Sequence, residues 1–363
     1  MTDRGAFSPK NRLRYSTVRF SVLTHAAIIP LTISFMELRK DPITRSWVVT
    51  GDDVPAASQH APCVLCASGN SNLQVVSTMP PVDDGPWSAR AVVHPSPLYR
   101  IEGDPMRRAE GIYDRMRSVG AHELLVENHH HDRNLWNASD QEVERFLMLA
   151  AQRVIDLKQD RRFKYVSVSK DYGSSAGQEV EHPASQLTAT TFVPRRVLYE
   201  LRAAREYFAQ KERCVFCDIL AQEERQALRV VETIGEYIAI CPYAPRVPYE
   251  TWIMPRVHES AFERAAVARP GALRDLATLL RRTLKRILTV AKDFHLVIHS
   301  SPNTLHRSVV LGYWKTIEED YHWHIEVLPI LPDKIKSYTV KETYFTPVSS
   351  ETAALRLREA NVD

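Results

Sequence analysis

Two stretches of the chain place apolar residues at helical spacing, and short β-type runs surround each of them. Val143, Phe146, Leu147, Ala150, Val154 and Leu157 share one helical face. Ser139 and Glu142 stand just before them as a capping box, which fixes where that helix begins. Leu273, Leu276, Leu280, Leu284 and Ile287 repeat the pattern and predict a helix over about 271–292. Around the first helix, the Asp41-Pro42 turn leads into a β run at 47–49. Residues 123–127 form a second run, ending at His129-His130-His131, and strands follow at 165–169 and 187–193, separated by a Gly/Ser loop, Gly173–Gly177. Around the second helix, strands are expected at 251–254, 294–299 and 322–328. The same order of parts appears twice, which points to an internal duplication.

This pattern predicts an α+β fold of mostly antiparallel sheets with packed helices. The expected organisation is an N-terminal extension over 1–35, poorly ordered, then a first half over 36–194. A helical connector rich in Arg, Glu and Ala spans 195–213, and a second half runs over 214–363.

Composition narrows the functional classes. The chain has 44% apolar and 25% charged residues, ordinary for a globular protein, and a formal charge of only +3. No dense Lys/Arg stripe is present, so nucleic acid is not an expected partner. The apolar run at 17–36 is broken by Arg19, His25 and Pro30 and lacks a clean cleavage site, so a cytoplasmic protein with no membrane partner is expected.

Four of the five cysteines form two Cys-x-x-Cys pairs, a pattern that fits metal ligation in a reducing compartment. Cys241, beside Pro242, reads as a buried small hydrophobe. Each pair is followed by a histidine beyond a strand end and then by a histidine opening a later strand. This assigns one site to Cys63, Cys66, His131 and His182, and another to Cys214, Cys217, His258 and His322. Two thiolates and two imidazoles are a usual tetrahedral Zn2+ set, and such closed sites are structural.

The Arg39–Trp47 opening, the paired cysteines, Gly173…Gly177, His182-Pro183-Ala184-Ser185-Gln186 and His322-Trp323-His324-Ile325-Glu326 carry a resemblance. The chain resembles the galactose-1-phosphate uridylyltransferases of the histidine-triad superfamily over about 36–360, most closely the two-zinc members. The resemblance implies a duplicated histidine-triad-like fold. It also implies nucleotidyl transfer through a phosphorylated histidine, acting on a nucleoside-diphosphate sugar or sugar phosphate, and a homodimer. Arg39, Gly177, Ser185 and Gln186 then become candidate substrate contacts, with Gln186 also assisting catalysis and His182 holding metal.

The family's nucleophilic histidine falls on Ala184, which has no side-chain nitrogen. Asp171 and Glu179 stand where the family has Asn and a phosphate-binding Ser, and two carboxylates there would repel an anion. Gly51-Asp52-Asp53-Val54-Pro55 replaces a basic run. Three readings follow: an enzyme of nucleotide-sugar metabolism with altered site chemistry, an enzyme using His324 with His299, His306 and Lys315 gathered near it, or a non-catalytic zinc-stabilised nucleotide-binding protein.

Overall fold

The structure is a computed structural model and describes residues 36–51, 63–66, 73–268, 271–306, 314–331 and 344–362. The expected extension over 1–35 and the acidic run at Asp52-Asp53 lie outside the described residues.

Fourteen strands and seven helices are formed by the described residues. In chain order the strands are β1 (Glu37–Lys40), β2 (Trp47–Thr50), β3 (Val75–Thr78), β4 (Arg90–Val93), β5 (Arg108–Glu110), β6 (Tyr113–Arg117) and β7 (Gly120–Val126). They continue with β8 (Tyr165–Tyr172), β9 (Ala184–Thr190), β10 (Val230–Ile234), β11 (Tyr237–Ile240), β12 (Thr251–Pro255), β13 (Asp293–His299) and β14 (His324–Ile330). The helices are α1 (Asp140–Lys158), α2 (Arg195–Lys211), α3 (Val215–Gln226), α4 (Phe262–Ala268), α5 (Arg274–Leu288), α6 (Ile317–Asp320) and α7 (Ser350–Glu359).

Ten of the strands build one antiparallel sheet in the order β10-β11-β12-β14-β13-β8-β9-β7-β4-β3. Its two ends have the same plan. Reading inward from β3, the first half supplies β3-β4-β7-β9-β8; reading inward from β10, the second supplies β10-β11-β12-β14-β13. The halves therefore share one sheet, joined where β8 and β13 pair with Val297 opposite Ser169. β1, β2, β5 and β6 form a separate four-stranded sheet. The α+β expectation holds.

The two helices read from apolar periodicity, α1 and α5, pack together with their apolar faces buried. The Ser139 hydroxyl accepts from the Glu142 amide while Glu142 reaches back to the Ser139 amide, so two of the helix's orphan donors are satisfied. Strand alternation sends Leu125, Val166, Val168 and Leu187 from the first half, and Leu296, Ile298, Ile325 and Val327 from the second, into this core. The same alternation turns His122, Ala184, Gln186, Thr188 and Ser169 to the other face of the sheet. No helix among the described residues is long and apolar enough to cross a membrane.

Residues Arg195–Lys211 form α2 between the two halves. Cys214 is the N-cap residue of α3. The β run expected at 47–49 is β2 of the small sheet.

Candidate functional site

Both cysteine–histidine quartets assemble as expected. Cys63, Cys66, His131 and His182 bring one ligand atom each within 4.8 Å of one another, and so do Cys214, Cys217, His258 and His322. In the first, His131 Nδ1 lies 3.3 Å from Cys66 Sγ, and His182 Nδ1 lies 3.6 Å from both sulfurs. In the second, Cys217 Sγ lies 3.3 Å from His258 Nδ1 and 3.6 Å from His322 Nδ1. A tetrahedral zinc with ordinary Zn–S and Zn–N bonds separates sulfur from nitrogen by about 3.5 Å, so the donor set fits that ion.

The supporting contacts repeat as well. His182 Nε2–H donates to the Asn128 carbonyl at 2.8 Å, and His322 Nε2–H donates to the Pro255 carbonyl at 2.9 Å. Asn128 and Pro255 each lie three residues before the other histidine of their site. The paired rings are set edge-on, 5.2 Å apart at 85° in the first site and 5.4 Å at 85° in the second. Donation from Nε2 fixes the tautomer that leaves Nδ1 free to ligate. The second site is the more enclosed. Cys214 is buried there, whereas His131 of the first site is exposed. Cys241 is buried, with its thiol pushed up to about 12 by that burial, as expected of an inert core residue.

Ala184 and Gln186 are half-buried on β9, and Gln186 sits beside a stacked pair, His94 and His122, whose rings lie 4.1 Å apart and nearly parallel at 7°. The hydrogen bonds settle both tautomers. His122 Nδ1 accepts from the Leu98 amide at 3.1 Å, so its Nε2–H donates to Gln186 Oε1 at 3.1 Å. His94 Nδ1 accepts from the Ser96 amide at 3.1 Å, so its Nε2–H donates to Glu179 Oε2 at 3.0 Å. Burial, and then the neighbouring His94, push His122 down to about 4, so it is neutral at pH 7. With all four ring nitrogens committed, neither imidazole offers a free lone pair for attack on phosphorus.

Ala184 itself packs against a small apolar cluster containing Trp87, Leu124 and Val126, with Val180 and Cys63 at its margin. The two carboxylates expected to repel an anion are each paired with a histidine, Glu179 with His94 and Asp171 with His295 at 2.7 Å. Gly177 takes a left-handed conformation, φ 77°, and closes the Ser174–Ala176 turn. In the same loop, the Ser175 amide donates to Asp293 at 2.9 Å, and a Cβ on Gly173 would meet that carboxylate at 2.0 Å. One amide of this loop is therefore already held by a protein carboxylate.

Two of the other candidate contacts fall away from this face. Ser185 is buried toward the helix layer, its hydroxyl donating to Glu127 at 2.7 Å, and Glu127 pairs with the equally buried Lys170. Arg39 lies on β1 with an exposed side chain bonded to Glu37.

The second half is filled at the corresponding place. Glu200, from the connector helix α2, reaches His299 Nδ1 at 2.8 Å and lies 3.9 Å from His324 Nε2. Glu326 lies 3.9 Å from both histidines and receives Arg246 at 2.6 Å. Burial opposes charge on Glu200, yet its His299 hydrogen bond holds it at about 2. These four residues form a third group able to hold a metal ion. His324 is 1% exposed, its Nδ1–H given to the His322 carbonyl. Of the residues expected near it, His299 is there, whereas His306 lines a cavity of about 550 Å3 with Arg107, Arg161, Arg162 and Lys164. Lys315 is not in the group. Glu326 stands in the sequence as the end of the His322 motif, whereas no motif singles out Glu200, His94 or His122.

No family model matches the chain. Among curated proteins it is 25% identical over 343 residues to the ADP-glucose phosphorylase of Arabidopsis thaliana, covering 90% of this chain and 93% of that protein. It is 26% identical over 345 residues to the galactose-1-phosphate uridylyltransferase of Thermotoga maritima, covering 90% of this chain and 99% of the relative. A solved uridylyltransferase superposes with a TM-score of 0.72 at 22% identity, over 89% of this chain and 97% of that one. The Arabidopsis ADP-glucose phosphorylase solved with ADP-glucose superposes at 0.69 and 24% identity, over 90% and 99%. The likeness to the galactose-1-phosphate uridylyltransferases read from the motifs thus extends over nine tenths of the chain.

Proposed function

We propose that this relative of the galactose-1-phosphate uridylyltransferases is a nucleotidyltransferase-type enzyme. Its substrate is a nucleoside-diphosphate sugar or a sugar phosphate, bound on the Gln186 face of the first half, and two structural zinc ions hold the loops around it. The similarity over nine tenths of the chain to a uridylyltransferase and an ADP-glucose phosphorylase carries this reading. The retention of Gln186, its carbonyl already oriented by His122 so that its amide group faces away from that ring, supports it.

Ala184 changes the route. Without an imidazole there, the reading that fits the residues is direct displacement. An acceptor phosphate oxygen forms the new bond to the α-phosphorus while the bond to the departing sugar phosphate breaks, and the departing group leaves with the electron pair. Gln186 would position the transferred phosphate, and His122, stacked on His94, would hold Gln186 in place. Zinc at the quartets would stabilise the scaffold without entering the chemistry.

The test is to incubate the protein with UDP- or ADP-glucose together with galactose 1-phosphate or inorganic phosphate. Products are followed by phosphorus NMR, and the protein is mapped for nucleotidylated histidine. Turnover without an adduct supports direct displacement. An adduct lost in His324→Ala would transfer the chemistry to the second half, against the burial of His324. The second reading, a non-catalytic nucleotide-binding protein, draws on the packing of Ala184 into an apolar cluster. It is favoured if nucleotide sugar binds by calorimetry with no turnover of any donor. Absence of both binding and turnover would sink the two readings together.

A further inference from the structure

Three histidines run consecutively after β7, and only His131 belongs to a cysteine quartet. We propose that the other two, His129 and His130, form with Asp83 a separate site for a divalent transition-metal ion.

The three ligand atoms lie within 4.8 Å of one another. His130 Nε2 is 3.3 Å from Asp83 Oδ2, and His129 Nε2 is 3.9 Å from Asp83 Oδ1. An ion with bonds of about 2.0–2.2 Å to imidazole and carboxylate separates its ligand atoms by about 3–3.5 Å, close to these spacings. Two imidazoles and one carboxylate suit zinc, cobalt or ferrous iron better than calcium or magnesium. With three protein ligands, such a site keeps positions for water or a ligand oxygen.

The second observation is the state of the His129 ring. Its side chain is nine-tenths buried, at 10% exposure. It nevertheless makes no hydrogen bond to the described residues. Nδ1 is buried without a partner, and Nε2 stands beyond hydrogen-bond distance of Asp83. The ring is therefore fixed by packing and not by hydrogen bonds, and Nε2, the nitrogen that faces Asp83, keeps its lone pair for an ion.

The surroundings hold that ring in place. Trp87 packs edge-on at 5.9 Å, and a Cβ at position 85 would come within 2.1 Å of the ring, so only Gly85 leaves room for it. The Gly85 amide donates to Asp83 Oδ1 at 3.0 Å and fixes the carboxylate.

Simple ion pairing accounts for the arrangement less well. It would leave two rings, 3.9 Å apart and tilted by 39°, sharing one carboxylate that already has Arg133 at 3.4 Å. Arg133 makes its closer bond, 2.7 Å, to Glu142, which offsets most of its charge near the site. A single ion would engage both rings and the carboxylate at once.

The test adds Co2+ to the zinc-containing full-length protein, counts bound metal and records the visible spectrum. The proposal expects one Co2+ beyond the zinc content, with d–d bands and no thiolate charge-transfer band. Binding should weaken by roughly tenfold or more in His130→Ala and in Asp83→Asn, both half-exposed positions, while their zinc content stays at the wild-type level. Three results would overturn it: no additional Co2+, additional Co2+ held equally by both variants, or a spectrum with thiolate bands, which would mean exchange into a cysteine quartet. None of these outcomes depends on the transferase reading.

Discussion

The two halves of the molecule build the same cysteine–histidine quartet and then part company two residues later. After His182 comes Ala184, and after His322 comes His324. The first is half-buried; the second is enclosed by Glu200, His299 and Glu326. The difference arises from the connector. Helix α2 lies over the second half, packing Val197, Leu201 and Ala204 against Phe216 and Tyr321, and it delivers Glu200 to the histidines. In the first half the same helix meets Tyr165, at the start of β8. The two quartets thus sit on scaffolds of one plan, and the connector fills the place beside His324 while Ala184 stays half-buried.

The largest expected effect tests the difference in enclosure between the two quartets. Cys214→Ser should abolish metal at the enclosed site and cost about 5 kcal/mol of stability, since structural metal binding is folding free energy. Cys63→Ser, at the more exposed site, should cost about half as much. Equal losses in denaturant titrations with metal counting would remove the asymmetry.

Next in size is the interior ion pair that the first half alone carries beneath β9. Lys170 and Glu127 are buried there, whereas β13 and β14 send Ile298 and Ile325 to the same layer. Lys170→Met should cost about 3–5 kcal/mol by stranding the Glu127 carboxylate, and adding Glu127→Leu should recover much of that. Additive losses in the double variant would contradict the pairing.

The first half should also be the acid-sensitive one. His122 titrates at about 4 in the folded chain, below its unfolded value near 6.5. The unfolded chain therefore binds more protons as pH falls through that window. Stability should drop by about 2 kcal/mol between about pH 7 and pH 5, with no contribution above that range. Melting curves of His122→Gln should lack this component; an unchanged pH slope would refute the assignment.

The smallest structural change is Ala184→His, expected to cost about 1–2 kcal/mol by crowding the apolar cluster around Trp87. Its value lies in chemistry. A nucleotidylated His at position 184, seen by mass spectrometry after incubation with a nucleotide sugar, would show that the remaining face still receives the donor.

Much of this was legible in the sequence wherever a single local period or spacing carried the information. The two long helices followed from apolar residues three and four apart, and the metal quartets from Cys-x-x-Cys pairs followed by ordered histidines. What escaped depended on register between strands. His122 meets Gln186 because β7 and β9 pair with His122 opposite Thr188, which no one strand's sequence reveals. Glu200 looked like one more charge on a connector rich in them. The histidine partners of Asp171 and Glu179 come from β13 and from the end of β4, so the sequence suggests repulsion where the fold supplies pairing.

The junction of β8 and β13 has a consequence for how this chain could be divided. Each is an interior strand only because the other is present. A fragment ending near residue 194 would carry β8 as a raw edge, with its ladder of amides and carbonyls unpaired from Val168 to Tyr172. Such an edge recruits whatever strand will complete it, most readily the same strand of a second fragment. The full chain carries its own complement on the far side of a tether, so it meets that complement at high effective concentration before strangers do.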